Sequence, residues 1–207
     1  MRLHDYPASA NCYKVRLLLA LLGRPYERVH VDIFGGDTLT DAYTALNPLR
    51  ETPVLELDDG TAIAQSPAIL WFLAEGTPFL PAEPVARAHV LQWLAFEQER
   101  VMGGIGGPRF RHLTGRPPIP GRLETGAGAL AVLDAALERR DWLVGDRCTI
   151  ADLAVYGYAH RAGDVGLSLG EHVRAWCDRT RALPGFVDDL APYGDNARPG
   201  AGRSIYG

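Results

Sequence analysis

Ser9, Asn11 and Cys12 stand together at the turn that enters the first long apolar stretch of the chain. A hydroxyl and an amide beside a helix N-terminus are suited to holding an anion, and the anion most in need of help at neutral pH is a thiolate. A free thiol, with a pKa near ~8.5, is only a few per cent ionised there. Lowering that pKa by ~2 units takes roughly 2.7 kcal/mol of preferential stabilisation. One charge-assisted hydrogen bond of ~1.5–3 kcal/mol plus ~0.3–1 kcal/mol from a helix N-terminus is of that size, so no strong base is required. Ser9 and Asn11 are both candidate donors, and each is also an ordinary turn or capping residue. Cys12 has no neighbouring base in sequence to activate it and reads as structural.

Two later junctions supply what would hold a peptide-sized thiol with a carboxylate at each end. Thr52-Pro53 opens the run Pro53 to Leu57, and a cis proline there would turn the main chain at Thr52 outward to pair with an extended peptide. Ser66 as N-cap with Pro67 at the first helical position reads as a helix start. Backbone N–H groups at such an end favour a carboxylate through hydrogen bonds and dipole alike. Gln65 can hold the same amino-acid end of the ligand.

The elements that must position these residues are legible from pattern. Leu3 to Tyr6 reads as a short strand, and Cys12 to Leu22 as a helix apolar nearly all round, stopped by Gly23 and Pro25. Glu27 to Ile33 alternates as a half-buried strand, and Thr40 to Leu46 is a short helix ended by Asn47-Pro48. Pro53 to Leu57 and Thr61 to Ala64 are joined by Asp58-Asp59-Gly60, a hairpin signal, before the helix Ala68 to Glu75. The order β-α-β-α-β-β-α predicts an α/β thioredoxin-like domain over residues 1–77. A proline-rich connection then leads to an all-α domain over 85–207. Helices are expected over Val85 to Met102 and Leu123 to Glu138, and Thr149-Ile150-Ala151-Asp152 has the form of a capping box with Cys148 and Leu153 as its staple. Gly103 to Pro108 predicts a bend or mobile loop, since Gly costs ~1 kcal/mol relative to Ala inside a helix. It is not a dinucleotide fingerprint. The Gly/Pro/Arg-rich tail from Ala191 to Gly207 is expected to be weakly structured.

Composition narrows the function class. The chain has 207 residues, 47% hydrophobic and 22% charged, with a formal net charge of -4. That is enough to bury a substantial core, and it supplies no basic field for nucleic acid or an acidic membrane surface. The N-terminus begins at once on a strand-like run, and no apolar run approaches a bilayer's thickness, so a cytoplasmic protein is expected. Cys12, Cys148 and Cys177 lie far apart without metal-ligand spacing, predicting neither a disulfide framework nor a metal site.

The segment from Ser9 to Glu27, with Asn47-Pro48, Thr52-Pro53, Gln65-Ser66 and Thr149-Ile150-Ala151-Asp152, resembles the cytosolic glutathione transferases over nearly the whole chain. Ser9 and Asn11 match a bacterial Nu-like group, which has threonine or serine followed two residues later by asparagine. They depart from the serine-serine-cysteine cluster of the zeta class, whose isomerase chemistry the resemblance therefore does not imply. Where the family has valine before the proline this chain has Thr52, with main-chain pairing intact. Gln65 replaces a frequent glutamate and so removes a negative charge that would pair with the ligand's ammonium. The resemblance implies glutathione as co-substrate, held by Arg50, Thr52, Pro53, Gln65 and Ser66, with its thiolate at Ser9 or Asn11. It implies an electrophile site between the domains, with Glu97, Arg100, Arg109 and Phe110 as candidates. The cations Arg109, Arg111, His112 and Arg116 read either as a solvated face or as an electropositive entrance. A two-fold homodimer through the helices bearing Trp71, Phe72, Trp93 and Phe96 is implied as well, in a detoxification setting. Transfer of glutathione sulfur to a small electrophile is the leading function. A glutathione-dependent disulfide reductase and a non-catalytic scaffold of the same fold are the alternatives.

Overall fold

Residues 1–206 are described by a computed structural model of the chain. Strand β1 (Arg2–Asp5) lies at the centre of a four-stranded sheet, parallel to β2 (Glu27–His30) on one side and antiparallel to β3 (Val54–Glu56) on the other. The hairpin partner β4 (Ala62–Ala64) closes the order β2-β1-β3-β4. Helices α1 (Ala10–Leu21), α2 (Asp41–Leu46) and α3 (Ser66–Ala74) complete the thioredoxin-like unit. The β2 ladder is shorter than the alternation predicts, because the Asp32 carboxylate accepts from the Phe34 N–H at 3.0 Å and turns the chain. Val31 and Ile33 remain buried, in a cluster with Tyr6, Phe34 and Tyr43.

The second half is helical: α4 (Pro84–Phe96), α5 (Gly107–Leu113), α6 (Arg122–Leu137), α7 (Ile150–Ala159) and α8 (Glu171–Arg181). The glycine-rich segment is neither a bend nor a loop. Glu97–Gly106 winds as a π-helix that joins α4 to α5. Its glycines are there for contact: a Cβ on Gly104 would stand 2.4 Å from the Gly126 nitrogen of α6, and one on Gly106 2.5 Å from the Tyr158 ring. Close helix approach offsets the propensity cost that suggested a break.

Helix α7 is buried along its whole length and packs against α1. The capping box at its start is present as the sequence predicts, and Cys148 and Leu153 are buried in the same core. The tail is a correction. Its backbone is tied down by Ala191 N–H to Pro7 O at 3.2 Å and Arg203 N–H to Phe34 O at 2.7 Å, and Asn196 donates to Asp32 at 2.8 Å. Tyr193 and Tyr206 pack their rings against Phe34 and Phe110. Composition signalled the missing helical period but not these anchors, which lie on both domains.

His160, at the end of α7, stacks on Tyr156 with ring centroids 4.5 Å apart. Its Nδ1 meets the Tyr156 carbonyl and its Nε2 accepts from Arg161, so both nitrogens are committed to the neutral tautomer. Burial pushes its pKa down to about 4. The folded state thus favours the neutral ring, and this contribution is complete above the unfolded value of ~6.5 and is lost as pH falls towards 4. Urea unfolding should show a loss of about 2–3 kcal/mol between pH 7 and 4.5 that His160→Gln removes. An identical pH profile in the variant would exclude His160 as its source.

Candidate active site

Ser9 is the N-cap of α1, its Oγ accepting from the Cys12 N–H at 3.3 Å. Two residues on, the Asn11 Oδ1 accepts from Lys14 Nζ at 2.9 Å and from Ser66 Oγ, at the start of α3, at 3.0 Å. An ammonium can only donate, so the amide must turn its oxygen to Lys14 and its Nδ2 group the other way. Lys14 lies on the buried side of α1 with a fully buried side chain, 2.7 Å from the equally buried Glu97 carboxylate. Its ammonium also sits 4.2 Å from the centre of the Tyr158 ring. Burial pulls the Lys14 pKa down, and Glu97 opposes that shift. Gly157 makes room for the lysine stem, because a Cβ there would stand 2.6 Å from Lys14 Cγ.

Cys12 is fully buried, and burial, reinforced by Asp5, pushes its thiol up to about 12. Its sulfur accepts from the Tyr6 N–H at 3.4 Å. The Thr52–Pro53 peptide is cis, and half-buried Thr52 precedes the β3–β4 pairing, which begins at Val54. Arg50, at φ 58°, donates from Nε to Thr44 on α2 at 3.1 Å. Gln65, at φ 71°, is exposed and donates to Glu51 at 3.3 Å. Glu51 thereby places a carboxylate beside position 65, where glutamine had removed one. The cap of α3 is Gln65, one residue before the predicted one, so Ser66 is the first helical residue, buried, with its hydroxyl turned to Asn11 instead of capping, and Pro67 follows in the first turn.

Of the four electrophile-site candidates only Phe110 joins the cluster around Cys12, which it shares with Tyr6, Phe34 and Tyr193. Glu97 faces Lys14 rather than a cleft. Arg109 is buried in an ion pair with Asp164 at 2.7 Å, and Arg100 is exposed beside Glu99. Arg116 is no solvated cation either: it lies over the Phe34 and Phe110 rings and donates to the Ala197 carbonyl at 2.6 Å. Arg111 donates to the Pro117 carbonyl. A cavity of about 940 Å³ is lined by Met102, Arg111, Arg116, Ile119 and Leu123. None of Ser9, Asn11, Thr52, Gln65 and Ser66 lines it. Among the described residues no group of three or more His, Cys, Asp or Glu is gathered to hold a metal ion. The residues sequence reasoning missed are Lys14, Glu51, Tyr6, Phe34, Tyr158, Tyr193 and Tyr206. Lys14, the only charged residue besides Arg16 in an apolar helix, was the one available signal.

Known proteins match both halves of the chain. The families described as glutathione S-transferase, N-terminal domain, and glutathione S-transferase, C-terminal domain, match residues 8–75 and 122–184. Glutathione S-transferase GstA of Escherichia coli O157:H7 is 31% identical over 91% of this chain and 97% of that protein. Maleylacetoacetate isomerase of Pseudomonas aeruginosa is 28% identical over 90% of this chain and 93% of its own. A crystal structure of glutathione S-transferase from Pseudomonas fluorescens superposes with a TM-score of 0.87 at 43% identity, covering 92% of this chain and 98% of that one.

Proposed function

Because the chain belongs to the glutathione S-transferase family, we propose that it binds glutathione along Thr52 and Pro53 and activates its sulfur for transfer to a small electrophile. The observation that carries this reading is the fixed Asn11 amide: with Oδ1 committed to Lys14 and Ser66, Nδ2 is the face that can donate to a sulfur anion. Ser66 and the N-terminus of α3 suit the γ-glutamyl carboxylate, Glu51 and Gln65 suit its ammonium, and Arg50 is the nearby cation for the other carboxylate. The Ser9 hydroxyl accepts the cap bond and keeps its proton for a second bond to the sulfur. Buried, protonated Cys12 leaves glutathione itself as the nucleophile.

The electrophile approaches from the side of Phe110, Tyr6 and Tyr193, an aromatic wall suited to an apolar acceptor. The same arrangement serves a disulfide acceptor, the second reading, since no protein thiol takes part. Isomerase chemistry is named for some relatives, but the Ser9–Asn11 pair favours transfer. A cytoplasmic homodimer belongs to the same reading, with Phe72 and Leu91 exposed at 45% and 58% on α3 and α4.

Calorimetry tests the binding mode. Ser66→Ala should weaken glutathione by the ~1–3 kcal/mol of a lost hydrogen bond to a charged group. Unchanged affinity would move the γ-glutamyl carboxylate away from α3.

A further inference from the structure

Helix α1 buries the Lys14 ammonium, paired with the Glu97 carboxylate, directly behind the Asn11 amide. Lys14 has three ammonium protons and three partners: the Glu97 carboxylate at 2.7 Å, the Asn11 Oδ1 at 2.9 Å and the face of Tyr158 at 4.2 Å. Its counter-charge is supplied by the second domain, from the first residue of the π-helical stretch, and Glu97 is itself steadied by Gln98 at 2.8 Å. Gly157 of α7 is the clearance that lets the stem lie there. A buried pair of this kind is weak evidence for stability, since desolvation offsets the attraction. What it does secure is direction.

We propose that Lys14 is a positioning residue for glutathione activation: it pins the Asn11 amide with oxygen inward, so that Nδ2–H points to the sulfur, and Glu97 holds Lys14 in place. The inference rests on the reading of glutathione as ligand and Asn11 as donor, and extends it to a pair spanning the two domains. Ser66 cannot replace Lys14 in this task. Its hydroxyl has one proton, now given to Asn11, and a ligand carboxylate at α3 would claim it. Lys14 is then the donor that still holds Oδ1. Its charge also polarises the amide along the Oδ1-to-Nδ2 direction, strengthening the bond to an anion in this low-dielectric site.

The test compares the unaltered protein with Lys14→Met and with Lys14→Met/Glu97→Gln, the second leaving no unpaired buried charge should the first fail to fold. In ligand-free protein, the Asn11 side-chain amide is assigned in heteronuclear NMR spectra by its absence in Asn11→Ala. Its two proton signals should move closer together and exchange faster with water in the folded double variant. Ultraviolet titration of bound glutathione should then show about a tenfold loss of thiolate near neutral pH, while affinity for S-methylglutathione, which forms no thiolate, stays within twofold. An unmoved amide signal or an unmoved thiol titration would overturn the proposal. An equal loss of S-methylglutathione affinity would also overturn it, by showing a merely structural role. Failure of the unaltered protein to bind glutathione would overturn the underlying reading and this inference with it. That failure is recognised separately, because the amide measurement contains no ligand.

Discussion

Asp152→Ala is expected to destabilise the fold by about 3–5 kcal/mol in urea unfolding at neutral pH. The carboxylate is fully buried and collects four donors. Oδ1 accepts from the Leu143 N–H at 2.9 Å and the Trp176 indole at 3.0 Å, while Oδ2 accepts from the Thr149 N–H at 2.9 Å and its hydroxyl at 3.0 Å. Alanine strands these donors among side chains that exclude water, and each stranded donor costs ~1–3 kcal/mol before relaxation. Asp152→Asn keeps the shape and the Oδ1 pair. On the other side its Nδ2 meets the Thr149 hydroxyl, which can turn and accept, and the Thr149 N–H, which cannot. It should cost less, about 1–3 kcal/mol. Thr149→Ala should cost about 1 kcal/mol, as an ordinary lost cap. The order Ala above Asn above the Thr149 variant is the signature of a junction that ties α7 to α8 and to the segment at Leu143. An Asp152→Ala protein within 1 kcal/mol of the parent would show that water enters and replaces the carboxylate.

What the sequence made legible here was local. The capping box could be read because Thr149 and Asp152 are three residues apart, and the β3–β4 hairpin because Asp58-Asp59-Gly60 encodes its own turn. Ser9 as the cap of α1 follows from the same short-range chemistry, and Ser66-Pro67 does open α3, although the cap is Gln65 and not Ser66. The partners of those residues were out of reach. Lys14 meets Glu97 across 83 positions and Asn11 meets Ser66 across 55, so neither pairing leaves a trace in spacing. Cations such as Arg109 and Arg116 looked like a solvated face because sequence fixes their charge but not whether Asp164 or an aromatic ring will be waiting. The glycines of the π-helix misled for a related reason: propensity weighs a residue's own backbone, whereas Gly104 and Gly106 are selected by what packs against them. The tail failed in the opposite sense, its composition lacking any period while its own Tyr193 and Tyr206 secure it against Phe34 and Phe110.

Asn11→Ala is expected to lower turnover at neutral pH by about 10–100-fold, the loss of one ~1.5–3 kcal/mol bond to a charged partner. The effect should appear as a raised pKa of the bound thiol. The deficit should therefore shrink in alkaline solution, where the thiolate forms unaided, and persist below neutrality. Ser9→Ala separates the two donors that sequence left open. Its hydroxyl caps α1 through the Cys12 N–H, so this variant should lose about 1 kcal/mol of stability, with a smaller change in the thiol titration. Asn11 is the stronger candidate because its amide has a direction imposed on it, whereas a serine hydroxyl rotates. Cys12→Ala should leave the titration unchanged, since the thiol is buried, protonated and already bonded to the Tyr6 N–H. Ultraviolet titration of bound glutathione in the three single variants distinguishes these outcomes. A pKa that moved in Ser9→Ala and not in Asn11→Ala would transfer the sulfur contact to Ser9, and with it would go the directional role assigned to Lys14.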